Sequence, residues 1–195
     1  MIFAMLFFSG CTSSKASLSA EKMESLHMLN TQLLTKDYRI AIDAVFPFNS
    51  AASSQVINSV FQNTGNSASR IDVSGDGNYI QSQDSIIKGS LPFFGEQRMS
   101  TGAYGSSQSG IEFENVPKDY NIEQQPKTYL PVITFETNQK DQSTESYLVR
   151  IVVFDNLNVD INIISSHRSV IRYDGKLTFT EIEAMNASAK ESSSQ

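Results

Sequence analysis

The chain has 195 residues, of which 39% are hydrophobic and 18% charged, a composition typical of one globular domain and not of a disordered chain. Fifteen Lys and Arg against 21 Asp and Glu give a net charge of −6, which excludes a nucleic-acid binder that relies on backbone charge. The single cysteine excludes a disulfide framework and a thiolate metal cluster.

The first eleven residues resemble the leader of a bacterial lipoprotein. Residues 1–8 read MIFAMLFF, an apolar run too short to span a membrane as a helix, and the small residues Ser9 and Gly10 precede Cys11. We therefore predict a removed leader over residues 1–10, lipidation of the Cys11 thiol and a polar tether over residues 11–17. The alternative is a cytosolic protein with an apolar N-terminal arm and a buried cysteine.

The leader lacks the Lys or Arg that normally precedes its apolar run, so we expect translation to start upstream of Met1. Two or more acyl chains at Cys11 would anchor the protein stably to a membrane. The polar tether would reach only about 13 Å as a flexible coil, which predicts a domain held close to the bilayer.

Residues 17–36 have the period of an amphipathic helix. Ser19 is expected to cap its N-terminus, and His27 is predicted to be a surface residue and not a ligand. The apolar residues that recur at three- and four-residue steps are Met23, Leu26, Leu29 and Leu33.

After Asp37 the hydrophobic period changes to two, which predicts a strand that ends at Pro47. The residues expected on its apolar face are Ile40, Ile42, Ala44 and Phe46. Further strands are predicted over 55–61 and 69–74, followed by a tight hairpin turn at 75–78. Four glycines and many hydroxyl residues predict a long flexible loop over 95–110, and residues 111–114 alternate again.

The C-terminal half alternates clearly. Residues 129–137 are predicted to pair with 146–154, and a turn at 155–158 leads into a strand with Val159, Ile161 and Ile163 inside. A last strand is predicted over 171–179, interrupted at Asp174 and Gly175.

These elements predict a mostly β protein of the α+β class. One N-terminal helix precedes an antiparallel meander of about eight strands that closes into a barrel or a sandwich. We expect one domain over residues 18–182 and a polar tail over residues 183–195.

Few residues are candidates for chemistry, and the sequence predicts neither a metal nor another cofactor. Residues 72–77 match the first six positions of a calcium loop, but Gln83 stands where the bidentate carboxylate belongs, so a turn is expected. Asp84-Ser85-Ile86 resembles a short bacterial O-glycosylation motif, which makes Ser85 a candidate acceptor. Tyr104 is a candidate contact aromatic because it lies in the glycine-rich loop.

Four segments occur in an order that resembles one known family. They are Leu91-Pro92-Phe93-Phe94-Gly95, residues 109–113 (SGIEF), residues 118–120 (KDY) and residues 167–175 (HRSVIRYDG). The resemblance covers residues 19–180 and is to an uncharacterised lipoprotein family of the Bacteroidota, known only as a domain of unknown function. The sequence departs from the family pattern at His167 and at Asp174.

The resemblance implies a leader, an envelope location and a helix followed by strands, and it supplies no catalytic residues. In that bacterial group, surface-exposed lipoproteins tend to carry acidic residues directly after the lipidated cysteine. Residues 12–16 contain none, which favours the periplasmic side of the envelope.

The first and last of these segments also have a physical interpretation. Phe93 and Phe94 would point to opposite faces of an extended segment, so we expect one ring in the core and the other at an opening. Arg168 and Arg172 are expected to brace the following turn through Asp174.

Three functions from different classes remain open. The chain is predicted to be an envelope lipoprotein that acts as a non-enzymatic binding or scaffold module, with the membrane as one partner and a protein or small molecule as another. One alternative is a β-barrel carrier of a small apolar ligand, which needs an unfilled interior. The other is a hydrolase, which needs convergent titratable groups in a cleft.

Overall fold

The computed structural model describes residues 19–61, 64–98, 110–140 and 142–180. The described part contains two helices, α1 (Ala20–Leu33) and α2 (Ala51–Val60), and ten strands. The strands are β1 (Tyr38–Pro47), β2 (Ile71–Asp72), β3 (Tyr79–Gln83), β4 (Ile86–Pro92), β5 (Gly110–Asn115), β6 (Lys118–Gln124), β7 (Pro131–Gln139), β8 (Gln142–Val153), β9 (Asn158–Ser165) and β10 (Ile171–Phe179).

Nine strands form one antiparallel path in the order β5-β4-β3-β1-β10-β9-β8-β7-β6, and β2 pairs with β1 beside this path. The first and the last of the described strands, β1 and β10, pair at the centre, from Tyr38 opposite Phe179 to Pro47 opposite Ile171. The sheet curls into a half-barrel, because β5 comes round to lie beside the end of β7.

Polar groups hold β5 beside β7. The backbone N–H of Glu112 donates to Oε1 of Gln139 at 3.1 Å, and the N–H of Lys140 donates to the carbonyl oxygen of Glu112 at 2.7 Å. The Thr137 hydroxyl donates to the side chain of Asn115 at 2.6 Å. On the solvent side of β5, Glu114 forms ion pairs with Lys88 and Lys140.

Helix α1 packs against β6 and β7 and supplies part of the core. Ser19 caps it as expected, and its buried residues are Leu26, Leu29 and Leu33. Met23, which the helical period also assigns to the buried stripe, is 45% exposed. His27 is exposed, in agreement with the sequence prediction.

The described interior of the half-barrel is filled with side chains. Tyrosine, phenylalanine, isoleucine and leucine residues from both helical and strand segments form one buried cluster. The largest of the fully buried side chains are Tyr38, Tyr147, Tyr173, Phe113 and Phe135. The described residues therefore bury large side chains in one continuous core.

The predicted class is confirmed in outline: the chain is mostly β, and its sheet is antiparallel. The prediction of a single helix is wrong, because a second helix, α2, follows β1. The nine strands of the main path are close to the predicted number of about eight, although the predicted strand ranges include neither β4 nor β6. The architecture is a half-barrel made from one curled sheet, which matches the predicted closed barrel only in part and is not a sandwich of two sheets.

The strand predicted over 55–61 is wrong, because these residues belong to α2 and its C-cap. Ser50 caps this helix by accepting from the N–H of Ser53 at 3.3 Å, and Glu96 accepts from both Ser50 and Ser53. Serine before two alanines is a helix-start signal, and the short apolar run that follows does not distinguish a strand from a helix.

A β-bulge at Asp43 changes the predicted face of β1. The register with β10 shifts between Ile42 and Ala44, so Val45 is buried and Phe46 turns to the outside. The predicted interruption of the last strand is wrong, because β10 runs continuously through Gly175. The irregularity is the bulge at Asp43 in β1, the strand that pairs with β10.

Turns agree with the sequence in the C-terminal half and differ in the N-terminal half. The pairing of β7 with β8 and the turn before β9 are confirmed. Residues 75–78 do not form a hairpin, since the strands on either side both pair with β1. The two-residue hairpin loop is Asp84-Ser85, with φ of 49° and 68°, the left-handed values that such loops require.

Candidate functional site

A groove of about 560 Å³ crosses the outer face of the sheet. Strands β1, β10 and β9 form its floor, the turn between β8 and β9 forms one end, and Arg70 beside β2 stands at the other. Its charged and amide residues are Asp43, Arg70, Asp155, Asn156, Asn158, Asp160, Arg172 and Asp174. Concave sites with a few convergent polar groups are the usual places for ligand binding.

The bulge at Asp43 positions one wall of this groove. The carbonyl oxygen of Asp43 accepts from the N–H of Val73 at 2.9 Å, and the N–H of Ile42 donates to the carbonyl oxygen of Asn78 at 3.0 Å. The segment that precedes β3 is therefore hydrogen-bonded to the bulge on the side that does not pair with β10. Bulges commonly re-aim a side chain beside functional sites, and this one places Asp43 at the groove.

Carboxylates are crowded on the groove floor. Asp160 and Asp174 are directly opposed on β9 and β10, a position at which like charges destabilise a sheet. Arg172 lies 3.8 Å from Asp160 and stacks over the Phe46 ring at 4.1 Å. This contact replaces the predicted bracing of a turn by Arg172 through Asp174.

Two groove carboxylates lack a counter-charge in contact. Asp155 pairs with Lys22 at 2.9 Å, but neither Asp43 nor Asp174 has an ion-pair partner within 4 Å among the described residues. Burial raises the pKa of Asp174, and the neighbouring Asp160 and Asp43 raise it further against the opposing effect of Arg172 and Arg70. A positive charge in the groove would relieve this repulsion.

Asp174→Asn is expected to stabilise the protein at neutral pH by roughly 0.2–1 kcal/mol, the range for cross-strand charge pairs. Because the folded pKa of Asp174 is raised, its ionisation disfavours folding, and stability is lost as pH rises above the usual aspartate range and through the folded pKa. Urea unfolding of both chains at pH 7 and pH 3 measures the difference. A variant that is less stable at pH 7 would contradict this interpretation.

A second polar cluster lies inside the fold and is called here the Arg168 cluster: Arg168, Glu145, Ser165, Gly110 and Phe93. The Arg168 side chain is 5% exposed and that of Glu145 is 1% exposed. Nη2 of Arg168 donates to Oε2 of Glu145 at 3.0 Å, and its Nε lies 2.9 Å from Oε1 in an ion pair. Ser165 donates to the same carboxylate at 2.7 Å.

The Arg168 cluster joins segments that are far apart in the sequence. Nη1 of Arg168 donates to the carbonyl oxygen of Gly110 at 2.8 Å, and its guanidinium carbon lies 5.1 Å from the centre of the Phe93 ring. Tyr173 donates to the carbonyl oxygen of Pro92 at 2.9 Å. Three of the four segments that carry the sequence resemblance meet here, and their contacts explain those residues structurally.

Phe93 and Phe94 do not divide into one core ring and one exposed ring. Both are half-buried and both pack against the core cluster. Extended alternation ends at Pro92, the last residue of β4, so the two rings are no longer directed to opposite faces. The backbone N–H of Glu96 donates to the hydroxyl oxygen of Ser169 at 3.0 Å, and this hydrogen bond fixes the path of the chain after Gly95.

The other predicted site residues do not converge on the groove. Ser85 is exposed in the β3–β4 hairpin loop, where its glycosylation stays a prediction. Cys11 and Tyr104 lie outside the described residues, as do the leader, the tether and residues 181–195. The described part contains no cluster of three or more His, Cys, Asp or Glu that could hold a metal ion.

The groove residues were missed individually by sequence reasoning. Asp43 and Asp160 alternate with the apolar residues of two separate strands, as solvent-facing residues do, and nothing in their spacing brings them together with Asp174. The only available signal was Asp174-Gly175 within an otherwise regular strand, a pair that was interpreted as an interruption.

The geometry defines a helix-covered antiparallel half-barrel with a polar groove on its outer face. The chain matches the family described as a domain of unknown function, DUF4251, over residues 20–177, and it belongs to that family. No curated protein matches the chain significantly. Neither helix of the described part is long and apolar enough to cross a bilayer.

Proposed function

We propose that this chain is a cell-envelope lipoprotein, anchored by lipid at Cys11 on the periplasmic side, whose domain acts as a non-enzymatic binding module. The binding surface in this proposal is the groove across β1, β10 and β9. The observation that carries it is the set of groove carboxylates, two of which have no counter-charge in contact.

The groove favours a ligand that carries an ammonium or guanidinium group. Its lining contains four aspartates against two arginines, and Asp43 and Asp174 are the carboxylates without a contact partner. Phe154, 38% exposed at the rim, offers an apolar surface to the stem of a lysine-like group. The net charge of −6 would also steer a cation toward the protein.

The filled interior supports an external site over an internal one. A carrier needs volume inside the sheet, and the described interior is occupied by large side chains. The hydrolase remains the alternative, and cleavage of a bound ligand in the experiment below would favour it.

Trilysine is expected to bind saturably to the purified chain in isothermal titration calorimetry at low ionic strength. The variant with both Asp43→Asn and Asp174→Asn should bind roughly tenfold more weakly, a loss of about 1.4 kcal/mol. The matched control carries Asp76→Asn and Asp84→Asn, which remove two charges from exposed turns outside the groove. Equal losses in the two double variants would mean that trilysine responds only to net charge, and the groove would be rejected as its site.

A further inference from the structure

Two arginines and an asparagine form a row across the outer face of the sheet, called here the Arg150 row: Arg150, Asn162 and Arg172. Asn162 of β9 lies opposite Arg150 of β8 on one side and opposite Arg172 of β10 on the other. Directly opposed residues of an antiparallel sheet point to the same face, so the three side chains lie next to one another. Both arginines are exposed, and Asn162 is half-buried.

The Arg150 row adjoins the groove at Arg172. Arg172 lines the groove, and Asp174 follows it two residues along β10, opposite Asp160 of β9. Residues two positions apart in a strand share a face and are separated by about 7 Å. The groove aspartates and the Arg150 row therefore form a negative and a positive row side by side on one surface.

The guanidinium groups of this row have few partners. Arg150 makes no ion pair, hydrogen bond or ring contact with a described residue. Arg172 lies 3.8 Å from Asp160, and stacking over the Phe46 ring holds its guanidinium plane without using its N–H groups. Within the described part of the chain, neither arginine side chain donates a hydrogen bond, so both have donors available for a ligand.

Charge favours an anionic group at this end of the groove. Asp43 and Asp174 attract a cation, but a second cation placed over the Arg150 row would meet two positive charges. An arginine guanidinium binds an anionic oxygen pair through parallel N–H bonds, and the amide of Asn162 can donate one more. Asp160 offsets part of the charge on Arg172, which leaves about one positive charge and suits a singly charged carboxylate.

We propose that the ligand of the groove is a zwitterion, with an ammonium group at Asp43 and Asp174 and a carboxylate at the Arg150 row. This inference rests on the proposed function, because it adds a second contact to the same ligand. The separation of the two rows selects a molecule whose opposite charges stand about 7 Å apart. A lysine-like group with a free α-carboxylate has this arrangement.

NMR titration of the 15N-labelled chain with 6-aminohexanoate tests the second contact. This probe carries an ammonium and a carboxylate at the two ends of a flexible chain, and 6-aminohexanamide has the same length and ammonium group without the carboxylate. The aminohexanoate is expected to bind roughly fivefold more tightly than the aminohexanamide, the upper range for an exposed ion pair. Glycine is too short to reach both rows and should show no such advantage.

Two single variants locate the carboxylate contact. In Arg150→Gln the dissociation constants of aminohexanoate and aminohexanamide should become equal within about twofold. The matched control, Lys127→Gln, removes one positive charge from the exposed turn between β6 and β7 and should keep the preference for aminohexanoate. Equal losses in the two variants would overturn the inference, because net charge alone would then explain them.

Arg70 at the other end of the groove is the competing position for an anion. Its only ion-pair contact among the described residues is with Asp72 at 3.6 Å. A preference for aminohexanoate that persists in Arg150→Gln would overturn the inference, and its loss in Arg70→Gln would then place the carboxylate at the Arg70 end.

The aminohexanamide separates this inference from the proposed function, since it reports the ammonium contact alone. If it shifts the groove amides and the aminohexanoate binds no more tightly, the zwitterion is contradicted and the cation site remains. If neither the aminohexanamide nor trilysine shifts the groove amides, the proposed function is contradicted and this inference with it.

Discussion

Arg168→Met is expected to lower the free energy of unfolding by about 3–5 kcal/mol, the largest effect of any single substitution considered. The substitution leaves the Glu145 carboxylate 1% exposed and without its counter-charge, and breaking one side of a buried ion pair has this order of cost. It also removes the bond to the carbonyl oxygen of Gly110 and the stacking on Phe93. Urea unfolding followed by far-UV circular dichroism measures the change.

A surface arginine provides the matched control. Arg172→Met removes a partner 3.8 Å from Asp160 at a side chain that is 44% exposed, so a loss of about 0–1 kcal/mol is expected. The double variant Arg168→Met with Glu145→Leu should lose less than the sum of its two single variants, because no uncompensated charge remains. Equal losses for Arg168→Met and Arg172→Met would contradict a buried pair.

Gly175→Ala is expected to destabilise the protein by about 3 kcal/mol, at the upper end of the range for overpacking. A Cβ at this position would collide with the carbonyl oxygen of Ala41, which belongs to the backbone of the central strand and cannot rotate away. The Cβ would therefore separate β10 from β1 at the centre of the sheet, next to the bulge at Asp43. The shift of the urea midpoint measures this loss.

Gly77→Ala is the control for this prediction. Gly77 has φ of +81° and nothing within 4 Å of the place that an alanine methyl group would take, so only the left-handed backbone is penalised, at about 1 kcal/mol. If Gly175→Ala loses no more stability than Gly77→Ala, the close approach of the two central strands is wrong.

Local patterns predicted those elements whose partners are close in the sequence. Strands β7, β8 and β9 alternate clearly, and polar turns separate them, so their hairpins were predicted with the right pairing. Helix α1 was predicted from its apolar period and from its Ser19 cap. In each case the residues that decide the structure lie within a few turns or one hairpin of one another.

Features that depend on distant partners were not predictable in the same way. The bulge at Asp43 is visible only once β1 is aligned with β10, and it decides which of Val45 and Phe46 is buried. The ion pair of Arg168 with Glu145 joins two residues 23 positions apart whose types would ordinarily be exposed. The groove brings together side chains from β1, β9 and β10 that each look like ordinary surface residues.

We propose that this domain binds its ligand in the outer groove and not inside the sheet. Heteronuclear NMR of the 15N-labelled chain titrated with trilysine tests it most directly. We expect saturable shifts confined to groove amides such as those of Asp160, Asp174 and Gly175, and loss of these shifts in the chain with Asp43→Asn and Asp174→Asn. Shifts that leave the groove amides unchanged and move interior residues such as Ile151 and Tyr173 would contradict it.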